Sequence, residues 1–198
     1  MVISVNGYLA ILAALAAERL FELALSTRNA RRALKMGAME MGAGHYPVMA
    51  IFHALFIAAA AAEVIVFKRP FPGALGWSAL FGALAAQGLR YWSVATLGAR
   101  WNTRIVVFPD VPPVTSGPYR FMRHPNYLAV IVEVACIPLI HGCWLTAAVF
   151  SAGNAALLLV RIHAEEAALG PAYARLLGAK PRLIPALRPV ARTGPRSV

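Results

Sequence analysis

Long apolar segments, separated by short polar connections, restrict this chain to one class of fold. Of its 198 residues, 60% are hydrophobic and 14% are charged, and the mean hydropathy is +0.63. A soluble domain of this size cannot bury so much apolar surface, and several segments approach the ~20 residues that a helix needs to cross a bilayer. We expect an all-α integral membrane protein with about five transmembrane helices, at residues 3–25, 47–67, 74–97, 127–141 and 144–161.

The last two of these segments are expected to form a short helical hairpin that turns at Gly142-Cys143. They contain 15 and 18 residues, which correspond to helices of about 22 and 27 Å. The first is shorter than the ~30 Å hydrocarbon core, so the sequence leaves open whether it crosses completely. We expect a single membrane domain over 1–198, with a three-helix part at 1–97, a core containing the hairpin at 98–180 and an interfacial or disordered tail at 181–198.

The distribution of basic residues indicates an orientation. The first connection is expected to be a loop with four basic residues, Arg28, Arg31, Arg32 and Lys35, and three glycines, Gly37, Gly42 and Gly44. Four more basic residues lie in the 100–126 connection and six follow residue 161, whereas the link after the second span has two. Because cytoplasmic segments are rich in Lys and Arg, we expect the N-terminus outside a cytoplasmic (inner) membrane and a functional site facing the cytoplasm.

Several function classes are disfavoured. The net charge of +11 does not indicate nucleic-acid binding, because the basic residues occupy connections and the tail, where they contact anionic headgroups. Cys136 and Cys143 lack metal-ligand neighbours, and His53 is interpreted as a packing histidine, so no metal site is expected. Gly42-Ala-Gly44 lacks the preceding strand of a nucleotide-binding turn, so any cofactor pocket must be helical.

A polar stretch at residues 115–127 interrupts the apolar segments and has the composition of a site. Gly117-Pro118 forces a turn, and Pro125 restricts His124 to extended geometry while favouring the start of a helix. The free N–H groups of that helix N-terminus, together with Arg120 and Arg123, favour an anionic group. The alternative is an ordinary basic loop that follows the distribution of positive charge.

A second polar cluster is expected beside the first, because a hairpin returns the chain to the side from which it started. Arg161 and Glu165 are four residues apart and share a helix face, so a plain interfacial salt bridge is the alternative to a functional role. Glu166 is expected to point elsewhere.

Two further charged groups fall inside the predicted spans. Arg19 and Glu22 are expected to form an intrahelical pair near the headgroups. Arg90 is expected to extend its side chain to the membrane interface.

The stretch 116–127, the hairpin and Arg161-Ile-His-Ala-Glu165-Glu166 resemble the isoprenylcysteine carboxyl methyltransferase family of integral-membrane enzymes. The chain looks most similar to members encoded beside type III polyketide synthases, which methylate alkylpyrones or related phenolic lipids. The resemblance implies S-adenosylmethionine as cofactor. It implies cofactor contacts from Val111, Pro112, Pro113, Val114, Tyr119, His124, Pro125, Asn126, Tyr127 and Glu165.

The same resemblance places Arg161 where the family contacts its lipid substrate. A carboxylate acceptor needs a cation such as Arg161, whereas an enol or phenol benefits from a base such as His124 or Glu165. The residues alone do not separate these cases, and they leave the acceptor and the oligomeric state open. The expected activity is O-methylation of an alkylpyrone or related lipid, with carboxyl methylation of an isoprenylcysteine-type substrate as the alternative. A non-enzymatic scaffold or transporter subunit is the alternative of another class.

Overall fold

The computed structural model describes residues 2–41, 45–108 and 111–185, without the side chain of His45. The described chain is mostly helical, with α1 at Val5–Lys35, α2 at His45–Val66, α3 at Ala74–Leu97, α4 at Pro125–Leu139 and α5 at Trp144–Leu177. Short strands at Met39–Met41 (β1) and Ile105–Val107 (β2) pair antiparallel, with Glu40 opposite Val106. Single 3₁₀ turns lie at Gly98–Arg100 and Gly117–Arg120. Gly42, Gly44 and the tail beyond residue 185 lie outside the described residues.

The outer surfaces of the helices suit a lipid environment. Tyr46–Val66 and Trp144–Leu177 are long and apolar enough to cross a membrane, and Pro125–Leu139 is a shorter apolar helix. Large apolar side chains such as Phe81 and Leu84 on α3 face outward. A soluble protein rarely exposes so many, so these surfaces are suited to contact with lipid tails.

Helices α3 and α4 pack against each other through small residues. A Cβ added at Gly82 would lie 2.8 Å from Cys136 Sγ, and one added at Gly76 would lie 2.8 Å from the Ile140 carbonyl oxygen. Such close backbone approach is typical of helix pairs in membranes. The two helices therefore form a tight pair beneath the polar stretch.

The predicted hairpin is present. Helix α4 ends at Leu139, and Gly142 adopts a positive φ of 66° before α5 starts at Trp144. A positive φ costs little free energy only for glycine, which explains why glycine occupies this position of the turn.

The first helix is longer than expected, and the basic loop is largely absent. Helix α1 has 31 residues, or about 46 Å, which exceeds the ~30 Å hydrocarbon core. Arg28, Arg31, Arg32 and Lys35 therefore lie on its last turns and not in a loop. The predicted helical fold class agrees with the structure, in which the described chain is mostly helical and the short pair of β1 with β2 is added after the helix ends.

Helix α5 also continues past the predicted end at Arg161. It runs to Leu177 with one break at Gly170, where φ is 66° and ψ is −161°. Beyond this break the helix continues for two turns, from Pro171 to Leu177.

The charged groups of the apolar helices are paired inside the protein. The predicted Arg19–Glu22 pair is present. Arg90 does not reach the interface as expected, because only 3% of it is exposed and its Nη2 lies 2.8 Å from Glu133 Oε2. A buried guanidinium that is paired with a carboxylate does not need to extend to water. The sequence did not indicate that Glu133 would be this partner.

Candidate functional site

A cavity of about 360 Å³ lies between the helices and brings the two predicted polar clusters together. All five helices contribute to its wall, together with the segment at residues 101–104. The polar stretch contributes Tyr119, Arg123, His124, Asn126 and Tyr127, and α5 contributes Arg161 and Glu165.

The turn at Gly117 and the start of α4 at Pro125 are as predicted, but the extended geometry expected of His124 is not present. Gly117 has a φ of 54°, and a Cβ there would lie 2.3 Å from Thr96 Oγ1, so both conformation and space favour glycine. Pro125 is the first residue of α4, and His124 precedes it with φ −126° and ψ 61°. This geometry holds the His124 ring beside the N-terminus of α4.

Tyr127 connects the two residues predicted on the face of α5. Its hydroxyl donates a hydrogen bond to Glu165 Oε2 and accepts one from Arg161 Nε at 2.8 Å. The described residues contain no direct ion pair between Arg161 and Glu165. The salt bridge considered as the alternative is thus replaced by two hydrogen bonds through the Tyr127 hydroxyl.

Arg161 is held from three further directions. Its Nη2 donates to the Thr103 carbonyl oxygen at 2.5 Å, and its Nη1 lies 3.3 Å from Met49 Sδ on α2. The guanidinium carbon also lies 5.8 Å from the Tyr127 ring centroid. A buried guanidinium with this many partners has a fixed orientation, which suits a residue that aligns a bound molecule.

Glu166 does not line the cavity, as expected from its place on α5, but it contacts two residues that do. Its Oε1 lies 2.8 Å from Arg123 Nη1 and 3.0 Å from His124 Nε2, and its Oε2 lies 2.8 Å from Arg182 Nη2. The spacing of residues along α5 did not indicate these contacts of Glu166, because its partners come from two distant segments.

Residues 180–185 lie across the polar stretch, and we call them the C-terminal strap. Backbone N–H groups of Arg123 and His124 donate to the carbonyl oxygens of Pro181 and Arg182, both at 3.0 Å. Lys180 Nζ donates to the Tyr119 carbonyl oxygen at 2.7 Å. The strap therefore fixes the backbone of the stretch from which five cavity side chains project.

The other predicted cofactor residues have different positions. Val111, Pro112, Pro113 and Val114 are not among the residues that line the cavity, and neither is Pro125. The Pro112 carbonyl oxygen accepts a hydrogen bond from Arg100 Nη1 at 2.8 Å. Pro125 is buried as the first residue of α4.

The cavity wall contains polar atoms that no protein group satisfies. Asn126 Oδ1 and Arg123 Nε are buried and have no hydrogen-bond partner in the described chain. Buried polar atoms are normally paired, so these two mark places where a bound molecule can interact. Burial and the nearby Glu165 carboxylate raise the pKa of the Tyr119 phenol, so this group stays protonated at neutral pH.

Part of the cavity was not predicted from the sequence. Arg19, Glu22 and Arg90 line its inner end, and His53 stands beside them. His53 is also a packing histidine, as predicted, because its Nδ1 is 2.8 Å from the Met49 carbonyl oxygen. The described residues contain no group of three or more His, Cys, Asp or Glu side chains that could hold a metal ion. Charged residues inside an apolar segment were the available signal for the inner end.

Comparison with known proteins places the chain in a family. Residues 78–171 match the model of the isoprenylcysteine carboxyl methyltransferase (ICMT) family. The chain is 43% identical over 160 residues to the uncharacterized protein YpbQ of Bacillus subtilis (strain 168), an alignment that covers 80% of this chain and 94% of YpbQ. It is 28% identical over 160 residues to an uncharacterized protein of Haemophilus influenzae, covering 79% of this chain and 91% of that protein. The protein therefore belongs to the ICMT family and is a membrane methyltransferase.

Proposed function

We propose that this protein transfers a methyl group from S-adenosylmethionine to an oxygen atom of a lipid acceptor. One observation carries the proposal. Six of the eleven residues that the family resemblance assigns to cofactor and substrate line a single, mostly apolar cavity: Tyr119, His124, Asn126, Tyr127, Arg161 and Glu165.

The residues present fit S-adenosylmethionine. A cavity of about 360 Å³ falls in the range of roughly 300–1,000 Å³ that small-molecule sites occupy. The unpaired Asn126 Oδ1 can accept from an amino group of the cofactor. The Glu165 carboxylate favours its positive charge.

The cofactor, when bound, supplies an electrophilic methyl group on a sulfonium. The protein then has to orient the acceptor oxygen and exclude water. Arg161 suits the first task, because its planar guanidinium can hold an oxygen in a fixed direction. Tyr127 positions both Arg161 and Glu165, so substrate and cofactor sides of the site are connected through its hydroxyl.

We assign His124 a positioning role in preference to that of a base. Its Nε2 lies 3.0 Å from Glu166 Oε1, so this nitrogen already has a partner within the protein. Its ring stacks on Tyr127, with the ring centroids 5.2 Å apart. The stack keeps Tyr127 oriented toward Arg161 and Glu165.

We propose that the acceptor enters sideways from the bilayer. Leu20 on α1 and Ala54 on α2 both line the cavity, and both are exposed on the outer surface, Leu20 to 68%. Each buried methylene contributes about 0.8 kcal/mol, so a long alkyl tail is costly to withdraw into water. A gap between α1 and α2 lets the tail remain in hydrocarbon.

The enol or phenol of a long-chain lipid, such as an alkylpyrone, is our first candidate for the acceptor. The carboxylate of an isoprenylcysteine fits the same site and agrees with the family. Arg161 can hold either anion, so the acceptor has to be identified by product analysis.

The experiment is methyl transfer from labelled S-adenosylmethionine by the purified protein in nanodiscs. Alkylpyrones, alkylresorcinols and a prenylated cysteine are offered in parallel. Label in an organic-extractable product supports the proposal. A scaffold or transporter subunit, the remaining alternative, gives no product and no saturable binding of S-adenosylhomocysteine.

A further inference from the structure

The segment at residues 101–104 carries a polar group that methyl transfer as described above does not use. All four residues of this segment line the cavity. The Nδ2 atom of Asn102 is buried and has no hydrogen-bond partner among the described residues. A buried donor without a partner costs free energy, so packing alone does not explain an asparagine at this position.

The oxygen of the Asn102 amide is held by α1. Ser26, which is only 1% exposed, donates from Oγ to Asn102 Oδ1 at 3.3 Å. The same Oγ accepts the backbone N–H of Thr103 at 2.9 Å and lies 2.8 Å from Thr103 Oγ1. Because Ser26 occupies the amide oxygen, the amide nitrogen of Asn102 is the part of the side chain that remains for a bound molecule.

The segment has a fixed position between α1 and α5. Asn29 Nδ2 on α1 donates to the Trp101 carbonyl oxygen at 2.9 Å. On the other side, Arg161 Nη2 on α5 donates to the Thr103 carbonyl oxygen at 2.5 Å. A donor on a wall that is held from both sides has a defined direction before any ligand binds, which is what an oriented contact requires.

These contacts place Asn102 on the acceptor side of the site. The next residue, Thr103, holds Arg161, which is proposed above to orient the acceptor oxygen. Ser26 lies on α1, and this helix borders the gap proposed for entry of the acceptor. The residues assigned to the cofactor come instead from the polar stretch and from Glu165.

The chemistry of the free atom selects the group that it binds. An amide N–H is a donor and needs an oxygen with a free lone pair. The reacting oxygen of the acceptor is such an atom, whether it belongs to an ionised enol, a phenolate or a carboxylate. Hydrogen bonds to an ionised oxygen are stronger than those to a neutral one. A neutral donor therefore helps Arg161 to hold the anion and adds no charge to the cavity.

We propose that Asn102 Nδ2 donates a hydrogen bond to the ionised oxygen of the lipid acceptor, beside the guanidinium of Arg161. This inference rests on the proposed function and adds a second donor to the acceptor side of the site. When the oxygen forms its bond to the methyl group and the bond from that group to sulfur breaks, the oxygen loses its negative charge. Both donors then hold it less tightly, so Asn102 favours the acceptor over its methylated product.

The test measures lipid binding without turnover. Affinities are determined in nanodiscs at saturating S-adenosylhomocysteine, so that no methyl group is transferred. Two pairs of lipids are compared, N-acetyl-S-farnesylcysteine with its methyl ester and an alkylpyrone with its methyl ether. In the wild type we expect at least one of the two ionised lipids to bind roughly tenfold or more tightly than its methylated form. The absence of such a preference in both pairs would overturn the proposal.

Two variants of Asn102 and one control locate the effect. Asn102→Ala removes the donor, and Asn102→Asp removes it while keeping an oxygen for Ser26. Both should reduce the preference to less than about threefold, which is the loss of one hydrogen bond to a charged group. Ser26→Ala breaks the contact with the amide oxygen but leaves the donor in place, so it should retain most of the preference.

The thermal unfolding transition shows that each variant is folded, and the affinity for S-adenosylhomocysteine should stay within about threefold of the wild type. A preference that survives in folded Asn102→Ala, or an equal loss in Ser26→Ala, would overturn the proposal. So would weaker cofactor binding with an unchanged lipid preference, which would assign Asn102 to the cofactor. Absence of methyl transfer to a lipid whose anion is preferred would instead refute the proposed function, since binding is measured separately.

Discussion

Arg161 Nε donates a 2.8 Å hydrogen bond to the hydroxyl of Tyr127, which donates in turn to Glu165. Arg161 and Glu165 lie one turn apart on α5, and Tyr127 lies in the first turn of α4. One phenol thus holds a cation and a carboxylate at defined positions on the same cavity wall. The turn of the hairpin is far from these residues in the sequence, yet it is what brings them together.

Tyr127→Phe should lower turnover by roughly ten- to a hundredfold, because two buried groups lose a partner at about 1–3 kcal/mol. Cofactor affinity should fall as well, since Glu165 is released. Labelled methyl transfer and titration with S-adenosylhomocysteine measure both effects. Tyr91→Phe, on an exposed tyrosine of α3, is the matched control. Unchanged kinetics in Tyr127→Phe would remove the connecting role of this hydroxyl.

Glu165→Gln and His124→Ala should each weaken binding of S-adenosylhomocysteine, because the proposed function places both side chains on the cofactor side of the cavity. The loss of one buried contact corresponds to about 1–3 kcal/mol. Calorimetric titration of the purified variants measures it, with His163→Ala, on an exposed histidine of the same helix, as control. Wild-type affinity in both variants would refute this position for the cofactor.

Arg161→Lys should impair turnover more than cofactor affinity. Lysine keeps the charge but is a flexible point charge, whereas the planar guanidinium of Arg161, under the proposed function, holds an oxygen in line with the methyl group. Comparing kcat at saturating cofactor with the Kd for S-adenosylhomocysteine separates the two effects. Normal kcat together with lost cofactor binding would move Arg161 to the cofactor side.

Glu166→Gln should loosen the C-terminal strap, because this carboxylate pairs with Arg123, His124 and Arg182. Faster hydrogen exchange at residues 180–185 and a higher KM for the cofactor are expected together. Arg182→Ala should have a smaller effect, since the Arg182 side chain is nearly half exposed and exposed pairs are worth about 0–1 kcal/mol. Unchanged exchange in Glu166→Gln would mean that the backbone hydrogen bonds alone hold the strap.

Five membrane segments with the N-terminus outside are expected, because this arrangement places fourteen of the sixteen basic residues outside the predicted spans on one side. Cysteines at Arg31 and Arg120 should then react with an impermeant reagent from the cytoplasmic face and one at Lys68 from the other. The two native cysteines are first removed by Cys136→Ala and Cys143→Ala, so that only the introduced cysteine can react. Labelling of positions 31 and 120 from opposite faces would contradict the topology.

The hairpin, the start of α4 at Pro125 and the convergence of Arg161 with His124 were predictable from the sequence. Each follows from a local signal. A proline favours the start of a helix, and a glycine favours a turn. Two apolar segments joined by such a turn return the chain to the side from which it started. The family was predictable for the same reason, because its motif lies in these residues.

Other features depend on partners that no local pattern reveals. Arg90 is buried because it pairs with Glu133, 43 residues away, and Glu166 pairs with Arg123 and Arg182, which belong to two other segments. The length of α1 was underestimated because basic residues were read as a loop, although Arg and Lys are good helix formers. Contacts between distant segments therefore determine the positions of Arg90 and Glu166, whereas helix propensity accounts for the length of α1.

Different parts of the cavity wall come from different parts of the sequence, and this separation affects how such enzymes can diversify. The family model matches residues 78–171, which contain the polar stretch, Arg161 and Glu165. The apolar wall and part of the inner end come from α1 and α2, outside that range. Under the proposed function, residues 78–171 bind the methyl donor, whereas α1 and α2 contact the lipid acceptor. The two parts of the chain can therefore change separately. New lipids can therefore be accommodated by substitutions in the first two helices, while the chemistry behind them stays the same.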